Sequence, residues 1–150
     1  MLNYWDIIFR LALAVLIGAI IGIEREFSHK PAGFRTHLLV SLGSALFTLI
    51  PLQITTFQSH PEVLSRLIQG IATGIGFLGA GEIVRQSSGQ SPNLEQSPPP
   101  RLEVRGLTSA AAIWVSAALG IAAGCGLWQL GLIGAVLTFI ILNIFKRFES

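Results

Sequence analysis

Charge is what this sequence has least of. Lys, Arg, Asp and Glu together make up 12% of its 150 residues, while hydrophobic residues make up 51% and the mean hydropathy is +0.65. This small number of polar side chains cannot cover a soluble core of this size. We therefore predict that the apolar residues face lipid. The net charge of +2 is too small and too scattered for a nucleic-acid-binding face, and we expect no nucleic-acid partner.

Reactive motifs are also scarce. The single cysteine, Cys125, cannot form an internal disulfide and lies in an apolar segment, which predicts a packing role. The sequence contains no phosphate-binding glycine loop with Lys-Ser/Thr and no hydrolytic nucleophile motif, so we expect a protein that is not an enzyme. The three histidines, His29, His37 and His60, lie at loop or span-edge positions, and we interpret them as unrelated to one another.

One long segment fixes the number of membrane spans. Residues 106–145 contain no Asp, Glu, Lys or Arg. A single helix of that length would measure about 60 Å, twice the hydrocarbon core of about 30 Å. We therefore expect two spans, separated at Gly124-Cys125-Gly126, because glycine ends a helix at little steric cost. With the earlier apolar runs, this predicts five spans at about 5–23, 38–57, 65–84, 107–123 and 127–145.

The predicted fold is an all-α membrane protein, a polytopic bundle of about five helices in a single transmembrane domain (1–150). Most Lys and Arg residues fall after the first, third and fifth spans, which by the positive-inside rule places the N-terminus outside and the C-terminus in the cytoplasm. Residues 86–103 are rich in Ser, Gln and Pro, which predicts a flexible cytoplasmic loop.

Small residues recur at helical spacing in three of the predicted spans. Such stripes let helix backbones approach closely in lipid, so we predict that they are packing faces, within the chain or between copies. The stripe residues are Ala14, Gly18 and Gly22; Gly70, Gly74, Gly76, Gly79 and Gly81; and Ala112, Ser116 and Gly120. Because each glycine weakens a helix by about 1 kcal/mol, residues 76–81 fit either a broken helix beside Glu82 or a continuous helix with a smooth packing face.

Charged and hydroxyl side chains cluster where four of the spans meet one side of the membrane. The candidate ligand-binding or ion-binding residues are Glu24, Arg25, Glu26, Arg35, Thr36, Glu82, Arg105 and Thr108. Ionisable groups at membrane depth cost about 3 kcal/mol or more, so they usually pair or face a cavity. We expect Arg35 to pair with Glu24 and Arg105 to pair with Glu82.

Two interpretations of this set stay open. It is either an ion-pair belt that fixes helix ends at the interface or a polar pocket that faces the cytoplasm. In the second case, Glu24 and Glu82 are the candidate ligands of a hydrated Mg2+, and no other cofactor is expected. Spans one and two share an order of features with spans three and four. In each pair, the first span carries a small-residue stripe and ends in Glu and Arg, and the second span begins after Arg and Thr. This order predicts a parallel repeat of two helix pairs with a fifth helix appended.

Four motifs give the chain a family resemblance. They are Gly22-Ile23-Glu24-Arg25-Glu26, Ala32-Gly33-Phe34-Arg35-Thr36, Gly74-Ile75-Gly76-Phe77-Leu78-Gly79-Ala80-Gly81 and Val104-Arg105-Gly106-Leu107-Thr108, the last followed by Ala110-Ala111-Ala112-Ile113-Trp114. In this order, over about residues 11–124, the motifs resemble the successive signatures of the MgtC/SapB membrane family. The resemblance covers the transmembrane domain and not the C-terminal soluble domain of longer members.

The resemblance implies a bacterial inner-membrane protein linked to magnesium homeostasis and adaptation to low Mg2+. It implies a non-enzymatic modulator of other membrane proteins, such as an ATP synthase or an ion pump. The alternative is a small Mg2+ transporter or channel that uses Glu24, Arg35, Glu82 and Arg105. Besides the lipid bilayer, a second copy of the chain is an expected partner.

Overall fold

A computed structural model describes residues 2–54, 61–88 and 104–144, and within these ranges the chain forms five α-helices and no strand. The helices are α1 (Tyr4–Phe27), α2 (Phe34–Gln53), α3 (Pro61–Ser88), α4 (Leu107–Gly124) and α5 (Trp128–Ile144). Helices α1 to α4 are long and apolar enough to cross a membrane. The 17 described residues of α5 are shorter, measuring about 26 Å against a hydrocarbon core of about 30 Å. The predicted all-α class is confirmed.

Three helices extend past the predicted spans. Helix α1 continues to Phe27, so Glu24, Arg25 and Glu26 belong to its last turns. Helix α2 begins at Phe34, four residues before the predicted span, while predicted residues 55–57 lie outside the described ranges. Helix α3 runs to Ser88, into the segment predicted to be a loop, of which residues 89–103 lie outside the described ranges. The helices extend past the predicted spans because Glu, Arg and Gln interrupt an apolar run but still favour helix.

The glycine-rich part of α3 is helical throughout. Of the two arrangements that the sequence left open for residues 76–81, the continuous helix is therefore correct. Inside a bilayer, no water replaces a lost backbone hydrogen bond, so a break would cost several kcal/mol per unsatisfied group. That cost exceeds the helix penalty of about 1 kcal/mol for each glycine.

Helices α1 and α2 form an antiparallel pair with close backbones. A Cβ atom on Gly18 would lie 2.7 Å from the His37 carbonyl oxygen, and one on Gly22 would lie 2.9 Å from the Phe34 Cα. The hydroxyl of Ser41 donates a hydrogen bond of 2.7 Å to the Ala14 carbonyl. Only small side chains therefore fit along this seam.

Helix α4 runs parallel to α2 on a second close seam. A Cβ atom on Gly120 would overlap the Ser41 carbonyl oxygen and lie 2.9 Å from the Ser41 Cα. One turn further along, a Cβ atom on Gly124 would lie 2.8 Å from the Thr48 Cβ. Helix α4 also packs against α1, so these three helices form the core of the bundle.

The other two helices lie outside this core. Helix α5 packs against α1 and α4, whereas α3 packs mainly against α4 and less against α2. Among the described residues of α3, only Ile75 and Gly79 are buried. The predicted repeat of two helix pairs stays a prediction, and the α1–α2 pair is packed more extensively than the α3–α4 pair.

A tight turn joins α4 to α5 beside the start of α1. Gly126 has a φ of 79°, a left-handed conformation that favours glycine. Nη1 of Arg10 donates a hydrogen bond of 2.7 Å to the Gly124 carbonyl at the end of α4. Burial raises the pKa of the Cys125 thiol more than the nearby Arg10 guanidinium lowers it, so the thiol stays protonated at neutral pH. The start of α1 and this turn therefore share one end of the bundle.

The α2–α4 seam gives a first prediction. We expect Gly120→Ala to lower the free energy of unfolding by about 1–3 kcal/mol, because its methyl group would overlap the Ser41 carbonyl. The matched control is Gly76→Ala in α3, where a Cβ meets no atom of the described residues within 4 Å. We expect this control to be neutral or stabilising by up to about 1 kcal/mol. Unfolding in mixed micelles measures both, and equal losses would contradict the seam.

Candidate functional site at the basic end

The opposite end of the bundle carries the predicted site residues. We call it the basic end and define it by Arg25, Arg35, Arg85 and Arg105, which lie where α1 and α3 end and where α2 and α4 begin. The structure places the predicted residues in two settings. One is a buried polar cluster between α1, α2 and α4. The other is a more exposed rim, formed by Glu26, Arg35, Thr36, Glu82, Arg85, Arg105 and Thr108.

The buried cluster centres on an ion pair between neighbours in sequence. Glu24 is 4% exposed and Arg25 is 2% exposed. Arg25 Nε lies 2.5 Å from Glu24 Oε2, and the Ser28 hydroxyl donates a hydrogen bond of 2.6 Å to Glu24 Oε1. Arg25 follows Gly22 by three residues, which keeps it on the side of α1 that faces α2. The pair neutralises two charges that would be costly to bury singly.

This pairing corrects the expectation that Arg35 would be the partner of Glu24. Arg35 is exposed, and among the described residues it forms no ion pair. It lies in the first turn of α2 and lines an open pocket of about 430 Å³ together with Glu26, Phe27 and Phe34. Arg25 is the residue that pairs with Glu24 because its Cα lies on the face of α1 that packs against α2. Arg35 lies at the edge of this interface, in the first turn of α2.

His37 completes the buried cluster and is fully buried. Its Nε2 lies 3.2 Å from the Ala32 carbonyl oxygen, and its Nδ1 lies 3.0 Å from the Ser116 hydroxyl. A carbonyl only accepts hydrogen bonds, so Nε2 carries a proton; in the neutral ring Nδ1 then accepts from Ser116. One imidazole thereby connects the α1–α2 loop, α2 and α4.

The sequence interpretation missed this histidine. We named His37 only as one of three histidines unrelated to one another, and not as a site residue, yet it lies in the same cluster as Glu24 and Arg25. The signal was a stripe on the second span with four-residue spacing, in which His37 is followed by Ser41 and Ala45. Polar and small side chains on one helix face indicate a buried contact in lipid as much as glycine does.

Arg25 is not fully satisfied by these contacts. Its Nη1 is buried and has no hydrogen-bond partner within the described part of the chain. A buried donor without an acceptor costs about 1–3 kcal/mol, and more when it is charged. The guanidinium therefore depends on Glu24 for nearly all of its compensation.

Glu26 acts on the exposed side of the same helix end. Gly33, the N-cap residue of α2, has no side chain that could accept the first backbone N–H groups. Glu26 Oε2 accepts the Phe34 N–H at 3.0 Å instead, and a Cβ atom on Gly33 would overlap that oxygen. The carboxylate also interacts favourably with the positive end of the α2 dipole.

The α3–α4 part of the basic end is less buried than the cluster, although Glu82 is only 11% exposed. Arg85 Nη2 lies 3.1 Å from both carboxylate oxygens of Glu82, and the Arg85 side chain is 62% exposed. The backbone N–H of Arg105 donates a hydrogen bond of 3.3 Å to the Ser87 hydroxyl. Thr36 is half-buried and Thr108 is exposed.

The two carboxylates named as candidate magnesium ligands are both engaged with arginine. Each of the two candidate ligands, Glu24 and Glu82, is already neutralised by an adjacent arginine. Within residues 2–54, 61–88 and 104–144, no three His, Cys, Asp or Glu side chains come together as metal ligands would. Mg2+ prefers carboxylate oxygens that are free to face its hydration shell.

Comparison with known proteins places this helix bundle in a family. The sequence model of the MgtC family matches residues 11–150. The chain belongs to the MgtC family. The family resemblance drawn from the four motifs is thereby confirmed, and with four long apolar helices this makes the chain an integral membrane protein.

Three relatives illustrate the similarity. Protein SrpB of Synechococcus elongatus is 50% identical over 143 residues, which cover 94% of this chain and 75% of SrpB. "Putative magnesium transporter YhiD" of Escherichia coli is 36% identical over 95% of this chain and 61% of YhiD. Protein MgtC of Salmonella typhimurium is 36% identical over 93% of this chain and 52% of MgtC. The chain thus spans little more than half the length of MgtC, and no solved structure matches it.

The buried ion pair gives a second prediction. We expect Glu24→Leu alone or Arg25→Met alone to lower the free energy of unfolding by about 3–5 kcal/mol, because each leaves one buried charge without its partner. The double variant should regain most of that loss, since an apolar pair needs no compensation. Arg85→Met is the control, and we expect a loss of about 1 kcal/mol or less, because the Arg85 side chain is 62% exposed. Additive losses in the double variant, measured by unfolding in mixed micelles, would contradict the pairing.

Proposed function

We propose that this member of the MgtC family is a bacterial inner-membrane protein of magnesium homeostasis that acts as a non-enzymatic modulator of other membrane proteins. The observation that carries the proposal is the closure of the buried cluster. Both carboxylate oxygens of Glu24 already accept hydrogen bonds, from Arg25 and Ser28. One relative, the "putative magnesium transporter YhiD", has magnesium in its name, and family membership supports the membrane location.

The chemistry of the cluster suits a cross-link better than a pathway. An ion pathway needs ionisable groups that face a water-filled cavity and exchange their ligands. Glu24, Arg25 and His37 are instead buried among three closely packed helices. Both oxygens of Glu24 and both ring nitrogens of His37 already bind groups of these helices or of the α1–α2 loop. Such a cluster holds the basic end in one shape, which favours a protein that acts through contact.

The exposed rim supplies a surface for that contact. The pocket of about 430 Å³ presents Arg35, Glu26 and the rings of Phe27 and Phe34, and Phe27 is 80% exposed. Arginine and aromatic residues are enriched among the residues that dominate protein–protein binding energy. We infer that the modulated membrane protein contacts this rim.

The second candidate function is transport of Mg2+. It is favoured by the name of YhiD, which is 36% identical but of which the chain covers only 61%. In that case, the exposed residues Glu26 and Arg35 would form the entrance, because the buried carboxylate is occupied.

The two functions predict different results for Mg2+ flux. If the chain is a modulator, it should restore growth at low Mg2+ to a bacterium that lacks its own family member, yet give no Mg2+ flux in proteoliposomes. Arg35→Gln should remove most of the growth benefit, because it alters the contact rim. Lys30→Gln is the matched control, since Lys30 is another exposed cation at the same end.

Mg2+ flux into the vesicles would instead assign transport. Saturable Mg2+ entry, measured with a fluorescent indicator inside the vesicles and lost in Glu26→Gln or Arg35→Gln, would assign transport and reject modulation. These variants are chosen at exposed positions so that, unlike a change at Glu24, they leave the buried ion pair in place.

A further inference from the structure

The pocket at the start of α2 carries two opposite charges that do not pair with each other. Its volume of about 430 Å³ falls within the range of about 300–1,000 Å³ that is typical of small-molecule sites. It is lined by Ile23, Glu26, Phe27, Phe34 and Arg35. Glu26 and Arg35 are both exposed, and no ion pair joins them within the part of the chain that the structure describes. Space therefore separates a carboxylate from a guanidinium, and a ligand that enters it can bind both.

The two charges are not equally compensated by the protein. Glu26 Oε2 accepts the Phe34 N–H at 3.0 Å and lies at the positive end of the α2 dipole, which leaves Oε1 as an acceptor that faces the pocket's opening. The Arg35 guanidinium has neither a hydrogen bond nor an ion pair among the described residues. Lys30, in the loop before α2, is a second exposed cation. The pocket therefore attracts an anion and offers one carboxylate oxygen beside it.

The pocket lies at the depth of lipid headgroups. The apolar run of α1 ends at Ile23, and Glu26 follows three residues later, about 4.5 Å along the helix axis. Arg35 precedes Leu38, where the predicted second span begins, by the same interval. The headgroup layer is about 5–8 Å thick on each side of the hydrocarbon core. Ile23 is 42% exposed on the hydrocarbon side of both charges, so acyl chains can lie against it.

We propose that this pocket binds the headgroup of phosphatidylglycerol. The phosphate accepts hydrogen bonds from the Arg35 guanidinium, whose planar fork matches two phosphate oxygens. The glycerol hydroxyls of the headgroup donate to Glu26 Oε1, and the acyl chains extend past Ile23 into the bilayer. Phosphatidic acid has no such hydroxyls and would place additional negative charge beside the carboxylate. The lipid goes beyond the proposed function, since its binding requires neither a partner protein nor Mg2+ flux.

Native mass spectra of the purified full chain test the site, because they count the lipids that each chain retains. Phosphatidylglycerol is compared with phosphatidylcholine, whose headgroup has no hydrogen-bond donor for Glu26. We expect one phosphatidylglycerol to bind with a Kd at least about tenfold lower, which corresponds to about 1.4 kcal/mol, and Arg35→Gln to remove this preference. Arg85→Gln is the matched control, since Arg85 is another exposed arginine at the basic end but does not line the pocket. Equal helical content and melting temperature show that both variants fold.

Glu26→Gln tests the acceptor separately. Glutamine keeps an oxygen for the Phe34 N–H but has no negative charge, so we expect phosphatidic acid to bind more tightly and phosphatidylglycerol to lose its advantage over it.

Three results would overturn the proposal. Equal losses in Arg35→Gln and Arg85→Gln would show a general attraction of the basic end for anionic lipid. Tighter retention of phosphatidylethanolamine would show that Glu26 selects a cation, and displacement by soluble glycerol phosphate would assign the pocket to a free phosphate. Because these spectra contain no partner protein, the lipid site can fail while the proposed modulation stands in the growth test, and the reverse.

Discussion

The whole structure depends on the close approach of three helix backbones. In lipid, the hydrophobic effect does not drive helices together, because the lipid tails are as apolar as the side chains. Helix α2 is the shared element, since Gly18 of α1 and Gly120 of α4 both touch its backbone. At these distances dispersion and short hydrogen bonds, such as the one from Ser41 to the Ala14 carbonyl, take the place of the hydrophobic effect. A side chain as small as alanine at Gly120 is already too large.

The polar cluster is the continuation of these seams towards the basic end. Gly22 brings α1 against Phe34, the first residue of α2, and Arg25 follows one turn later on the same side of α1. Its side chain is therefore buried between the helices. Because the helices are already close, His37 can bond to both the α1–α2 loop and α4. The same closeness excludes water, so each buried charge must be compensated locally, and the outward-facing charges are left to the rim.

Much of this fold could be predicted from the sequence, because lipid imposes simple rules on length and charge. The uncharged stretch 106–145 had to contain two helices, and the glycine spacing of the first and fourth spans marked their faces. The pairing of the site could not be predicted in the same way. Periodicity gives the face and the depth of Glu24, but both Arg25 and Arg35 lay within reach, and only the packed seam selects the nearer one. His37 was missed because its polar stripe contains no glycine, although it lies on the same kind of buried face.

Identical sequence signals on different helices have different outcomes, and the reason lies in what is available to pack against them. The glycines of α1 and α4 meet α2, whose inward face offers Ser41, Ala45 and Thr48. Helix α3 has the same small residues but packs against the bundle through Ile71, Ile75 and Gly79, so most of its glycine face is left uncovered by the described residues. A close-packing face has value only in contact, because each glycine still weakens its helix by about 1 kcal/mol. Within the described residues, the glycine face of α3 therefore gains little of the close backbone packing that the seams of α1 and α4 provide.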